Sequence, residues 1–191
     1  MKFYREITLL PNEDIPRHFL REKVYQQLHL AFVDQMNDGK SKIGVAFPKY
    51  DMEGYSLCNQ LRLFAADEKT LEQMQCEKWL NRLSDYVHLS GIKPVPEKLE
   101  GYACFKHIKP KGSKEKLARR RAKRTGNSYE QALTHFENYE TERSRLPYIN
   151  MQSLTNGRSF RLFIEKTIVD NPQAGYFSSY GLSNTATVPL F

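Results

Sequence analysis

Residues 3–35, FYREITLLPNEDIPRHFLREKVYQQLHLAFVDQ, decide how the fold begins. Phe3 to Leu10 reads as a strand ended by Pro11. Asn12 or Asp14 is placed to cap a helix, and Pro16 suits its first turn. From there to about Gln35 the pattern is helical. Val24, Leu28 and Phe32 recur at four-residue spacing and define the face turned to a core. Asn37-Asp38-Gly39 then stops the helix.

Working outward, Ile43 to Phe47 is a short apolar strand ended by Pro48. Gln60 to Ala65 alternates, with Leu61, Leu63 and Ala65 on one face and Arg62 on the other. Asp67 can cap a second helix, about Glu68 to Leu83, with Leu71, Met74 and Trp79 inward. Tyr86 to Val95 reads as a further strand. The order strand–helix–strand–strand–helix–strand predicts an α+β fold on the ferredoxin-like plan over residues 1–97.

Residues 98–191 predict a C-terminal subdomain that carries an arginine-rich helix. Tyr102 to Ile108 is extended. Ser113 caps a basic helix over 113–124, and Gly126-Asn127 ends it. Ser128 with Gln131 makes a capping box for another helix, to about Glu140. Tyr148 to Leu154 and Ser159 to Glu165 form a hairpin with Asn156-Gly157 at its turn. Phe177 to Tyr180 and Val188 to Phe191 are short extended pieces.

Charge narrows the partners. The chain carries a formal +7, yet Gly101 to Arg124 alone holds ten Lys/Arg against one acidic residue, Glu115. One segment therefore carries the whole excess, which implies a polyanionic partner. A membrane surface would need a large apolar face beside the cations, and Leu117 is the only large apolar residue from Ser113 to Arg124. Nucleic acid is favoured over a membrane. Lys116, Arg120, Lys123 and Arg124 share a helix face, with Arg119 and Arg121 flanking it. Such like charges repel, and phosphates relieve that repulsion. Charge does not separate RNA from DNA.

Cys58, Cys76 and Cys104 are scattered and form no CxxC pair, which argues against a disulfide framework or zinc site and for a reducing cytoplasm. No HExxH or paired His/Cys spacing offers a metal site, so no metal and no cofactor is expected. Gly39-Lys40-Ser41 mimics the end of a phosphate loop, but Asp34 stands where its first glycine would be. His29 lies one position past the core stripe of the first helix. Together with Ser153, Thr155 and Tyr180 it has the groups for a metal-free acid–base site, provided they meet in space.

The stretches YREITLLP, QLHLAF, IGVAFP, LRLFA, KPVPE, EKLARRRAKR, SFRLFIE, YGLS and VPLF occur in that order over nearly the whole chain. In them the chain resembles the CRISPR subtype I-F repeat-processing endoribonuclease, a member of Cas family 6. That resemblance implies metal-independent cleavage of a CRISPR repeat transcript at the 3′ base of a stem-loop. The upstream ribose 2′-OH is the nucleophile, and the ends are a 2′,3′-cyclic phosphate (or 3′-phosphate) and a 5′-OH. It implies His29 as general base, Ser153 as the residue positioning the hydroxyl and Tyr180 as the residue orienting the histidine. Phe160 stacks on the terminal base pair, and Lys116, Arg119, Arg120, Lys123 and Arg124 belong to the helix in the RNA major groove. Partners implied are the repeat hairpin, the mature crRNA and other subunits of a type I-F effector complex. Three positions depart from the family. His107 and Lys109 replace an Arg-x-Gln base-reading pair, Thr155 replaces a serine, and VPLF replaces a VPWF ending. A catalytically inactive hairpin-binding subunit and a DNA-binding regulator are the competing functions.

Overall fold

A strand with one buried face starts the architecture. In the computed structural model, which describes residues 1–110, 112–138, 144–153 and 155–191, Arg5, Ile7 and Leu9 of β1 (Phe3–Leu9) turn inward. Helix α1 (Arg17–Gln35) buries Leu20, Val24, Tyr25, Leu28, Ala31 and Phe32, the expected stripe and its neighbours. Its cap differs from expectation. Pro16 is the N-cap, and the Asn12 side chain instead accepts from the N–H groups of Asp14 and Ile15, closing the turn before the helix.

The chain divides into two compact units, residues 1–108 with 146–191, and residues 109–145. In the first unit, β2 (Gly44–Ala46), β3 (Gln60–Ala65), β4 (Val87–Leu89) and β5 (Lys93–Pro94) join β1 in an antiparallel sheet. Its order is β2-β3-β1-β4, with β5 also on β1. The strand–helix–strand–strand–helix–strand order is thus present. A second antiparallel sheet has the order β7-β8-β6-β9, from β6 (Gly101–Ile108), β7 (Tyr148–Gln152), β8 (Ser159–Val169) and β9 (Val188–Leu190). The sheets therefore part between residues 94 and 101, while the compact units part elsewhere. One apolar cluster runs through the first unit and includes Ile7, Leu28, Phe47, Phe64, Phe105 and Ile164.

Two expected elements are interrupted. The helix after Asp67, whose carboxylate accepts from Thr70, splits into α2 (Glu68–Gln73) and α3 (Cys76–Leu80), followed by a 3-10 turn, Asn81–Tyr86. Gln75 between them is left-handed, φ 48°. In a continuous helix Met74 and Cys76 would point roughly 200° apart. The break lets both be buried. The strand expected over 86–95 is two pieces, because at Ser90 the side-chain hydroxyl, not the backbone, accepts the Glu6 N–H.

The hairpin turn holds Gly157 at φ +66°, and β8 runs past the expected Glu165 because β6 pairs it as far as Val169. The expected end of β7 at Leu154 lies outside the described residues. Phe177 bridges Ser41, but Ser178 to Gly181 is a turn rather than extended chain. The C-terminal Phe191 packs edge-on against Tyr4 and Phe64.

In the second unit, α4 (Lys114–Thr125) starts at Ser113, whose hydroxyl accepts from the Lys116 N–H. It ends on Gly126 at φ 72°. The Ser128–Gln131 capping box opens α5 (Tyr129–Thr134). The expected helix end near Glu140 lies outside the described residues. Among the described residues, Ala118 and Ala132 are the buried helix residues of this unit. Among the described residues no helix is long and apolar enough to cross a membrane.

Candidate active site and basic helix

Helix α1 reaches across to one turn of the chain. Tyr25 and His29 lie four residues apart on one face. The Tyr25 hydroxyl donates to the Tyr180 carbonyl at 2.7 Å, and His29 Nδ1 stands 2.7 Å from the Ser179 carbonyl. A carbonyl oxygen only accepts, so Nδ1 carries a proton, and in the neutral ring the lone pair is on Nε2. That is the tautomer a general base requires.

The turn itself depends on glycine. Gly181 sits at φ +65°, its N–H donates to Ser178, and its carbonyl accepts from Val45 at 2.8 Å. A Cβ there would come within 2.3 Å of Val45 Cγ2. Only glycine fits both the left-handed backbone and the close approach. The turn then lays the Tyr180 ring flat on the His29 imidazole, centroids 4.5 Å apart at 12°. Burial pushes the Tyr180 phenol above its ordinary pKa, so the ring stays neutral, and Tyr25 is pushed up the same way. Two more rings meet Tyr180 edge-on, His107 at 6.0 Å and Phe160 at 6.3 Å. Four residues singled out from the sequence, His29, Tyr180, Phe160 and His107, thus share one cluster.

Ser153 lies at the end of β7, along which α1 runs. Glu22 accepts from the Asn150 side chain, and Gln26 accepts from the Gln152 N–H at 3.2 Å. Glu22, Gln26 and His29 occupy one face of α1, and Ser153 is one residue past Gln152, whose N–H Gln26 holds. Its N–H donates to Arg158 and its carbonyl accepts from Gly157, which fixes its backbone. Among the described residues no hydrogen bond joins the Ser153 hydroxyl to His29. Thr155 is an exposed turn residue. No three His, Cys, Asp or Glu side chains gather as a metal site among the described residues.

Tyr25 and Gln26 hold the backbone around the candidate site, and sequence reasoning missed both. A hydroxyl on the fully buried stripe of a helix has to find an acceptor, and Tyr25 carried that signal four residues before His29.

The basic helix has two distinct sides. Lys116, Arg119, Arg120, Lys123 and Arg124 are exposed, while Ala118 is buried and Leu117, Arg121 and Ala122 are half-buried. Arg119 therefore belongs to the open face and Arg121 to the packed side, where the sequence predicts both as flanks. Lys109 is exposed as well. The ion pairs among the described residues are Arg5–Glu77 and Arg62–Glu6, so neither neutralises this helix. Its one carboxylate, Glu115, is held below its usual pKa by the Ser113 hydroxyl, its own N–H in the first turn and nearby Arg119. An exposed face of five cations, none of them in an ion pair among the described residues, has the form of a phosphate-binding surface.

Comparison with known proteins gives this arrangement a setting. The model of a family described as "CRISPR-associated protein (Cas_Csy4)" matches residues 4–191. A protein of Escherichia coli (strain UTI89 / UPEC), named CRISPR-associated endonuclease Cas6/Csy4, is 32% identical over 192 residues, covering 100% of both chains. A protein of the same name from Pseudomonas aeruginosa (strain UCBPP-PA14) is 30% identical, again over 100% of both.

Proposed function

The chain belongs to the Csy4 family of CRISPR-associated proteins, and on that premise we propose that it is a CRISPR RNA-processing endoribonuclease. It binds a repeat stem-loop, cuts at the 3′ base of the stem, and stays on the mature crRNA within a type I-F effector complex in the cytoplasm. One observation carries the assignment: His29 is held by Ser179 and Tyr180 in the tautomer that leaves Nε2 free.

His29 Nε2 takes the proton of the 2′-OH upstream of the scissile phosphate. The 2′-oxygen attacks phosphorus, and the 5′-oxygen leaves. The products are a 2′,3′-cyclic phosphate (or 3′-phosphate) and a 5′-OH, and no metal or cofactor enters. Ser153 positions the 2′-OH, and Tyr180 keeps His29 oriented by covering its ring. Phe160 stacks on the terminal base pair. Lys116, Arg119, Arg120, Lys123 and Arg124 hold phosphates along the major groove, with Thr155 offering a hydroxyl to the RNA. His107 and Lys109 occupy the base-reading positions. Lysine meets guanine acceptors as a point charge rather than as a two-pronged donor.

Incubation with repeat-hairpin RNA, with and without EDTA, followed by end-group analysis tests this. Cleavage in EDTA with cyclic or 3′-phosphate and 5′-OH ends is expected. Strict metal dependence removes the mechanism, and binding without cutting assigns the chain to the non-cleaving hairpin binders.

A further inference from the structure

The proposed reaction moves two protons, and α1 accounts for one. In an in-line displacement the attacking and leaving oxygens lie on opposite sides of phosphorus. One imidazole nitrogen cannot serve both in the same step. His29 has only Nε2 to offer, because Nδ1 is held at the Ser179 carbonyl. Another group has to protonate the departing 5′-oxygen.

Strand β6 carries a second imidazole to the same place. Ala103 and Phe105 are buried, and His107 continues their row at the half-buried end of the strand. The chain just after Tyr180 is tied to β6 where the Ser183 N–H donates to the Phe105 carbonyl at 2.9 Å. His107 makes a T-shaped contact with the Tyr180 ring while His29 stacks flat on it, with centroids 6.0 Å and 4.5 Å from it. Two histidines therefore flank one phenol. The Tyr180 hydroxyl is a rival donor in the same cluster, but burial makes it a weaker acid than an ordinary phenol. Imidazole titrates near neutrality, where a general acid is most effective.

Resting on the ribonuclease reading above, we propose that His107 is the general acid of the cleavage step. His29 takes the 2′-OH proton as the 2′-O–P bond forms. The P–O5′ bond breaks with its electron pair passing to O5′, and the His107 imidazolium gives that oxygen its proton. A residue at a base-reading position thereby also serves the chemistry.

Single-turnover cleavage of two repeat hairpins tests the role, one with the natural 5′-oxygen at the scissile bond and one with 5′-sulfur. Sulfur leaves as a thiolate and needs no proton. His107→Ala should slow the oxygen hairpin by about 10²-fold or more, yet cut the sulfur hairpin within a few-fold of wild type. His29→Ala should stay slow on both. The near-isosteric His107→Gln should follow His107→Ala, and rescue within one variant shows that it is folded. Equal losses on both hairpins make His107 a binding or structural residue and overturn the proposal, as does an unchanged rate on oxygen. If wild type binds both hairpins and cuts neither, the nuclease reading itself fails.

Discussion

Tyr25 and His29, one turn apart on α1, hold two consecutive carbonyls of the same turn, those of Tyr180 and Ser179. The helix thereby sets both the tautomer of His29 and the position of the ring stacked on it. Removing the Tyr25 hydroxyl leaves a carbonyl unpaired at a fully buried residue's contact. Tyr25→Phe should cost about 1–3 kcal/mol of stability, read by urea denaturation. Its single-turnover cleavage rate should fall while hairpin affinity stays within a few-fold. Unchanged cleavage would detach the turn from the chemistry.

His29→Ala removes the proposed base but none of the basic face. Cleavage should fall below detection with hairpin binding within a few-fold of wild type, measured by gel cleavage and filter binding. Persistent wild-type cleavage would remove His29 from the mechanism.

Arg120 and Arg124 lie on the open face of α4, away from buried Ala118. Arg120→Ala with Arg124→Ala should weaken hairpin binding and reduce the slope of log K against log salt by up to about two, on the order of one per phosphate contact. Helix content by circular dichroism should be retained. An unchanged slope would separate this face from the RNA.

Cys76 provides a pH signature of the fold. Burial pushes its thiol from 9.0 up to about 11. The unfolded thiol therefore gives up its proton before the folded one does. Stability from this group is full below about pH 9 and is lost as pH rises toward about 11. Urea denaturation across that range should show wild type losing stability more steeply than Cys76→Ala. Parallel curves would mean that the thiol is not buried as described.

Local signals located much of this fold. β3 falls at its expected bounds, Gln60–Ala65, because alternation there matches one buried face. α4 begins at its expected cap, Ser113, because a hydroxyl before a helix has few better partners than the free N–H groups of the first turn. What stayed hidden depends on the rest of the molecule. Gln75 has no glycine-like reason to be left-handed; burial of both Met74 and Cys76 demands it. Arg119 and Arg121 are alike in sequence, and only the packing of the helix decides which is exposed. At the site, His29 was legible as a histidine just off the core stripe. Its main partner, the Ser179 carbonyl, is backbone and carries no residue identity. The contact of His107 with Tyr180 joins strands and turns more than seventy residues apart, a distance that spacing cannot bridge.

The central claim is that a ribose hydroxyl is the nucleophile and that His29 activates it. A repeat hairpin with a single deoxyribose just upstream of the scissile phosphate tests this most directly. Wild-type protein should bind it within a few-fold of the all-ribose hairpin and leave it uncut over many turnover times of the natural RNA. Cleavage of the deoxy hairpin at the all-ribose rate would contradict the account.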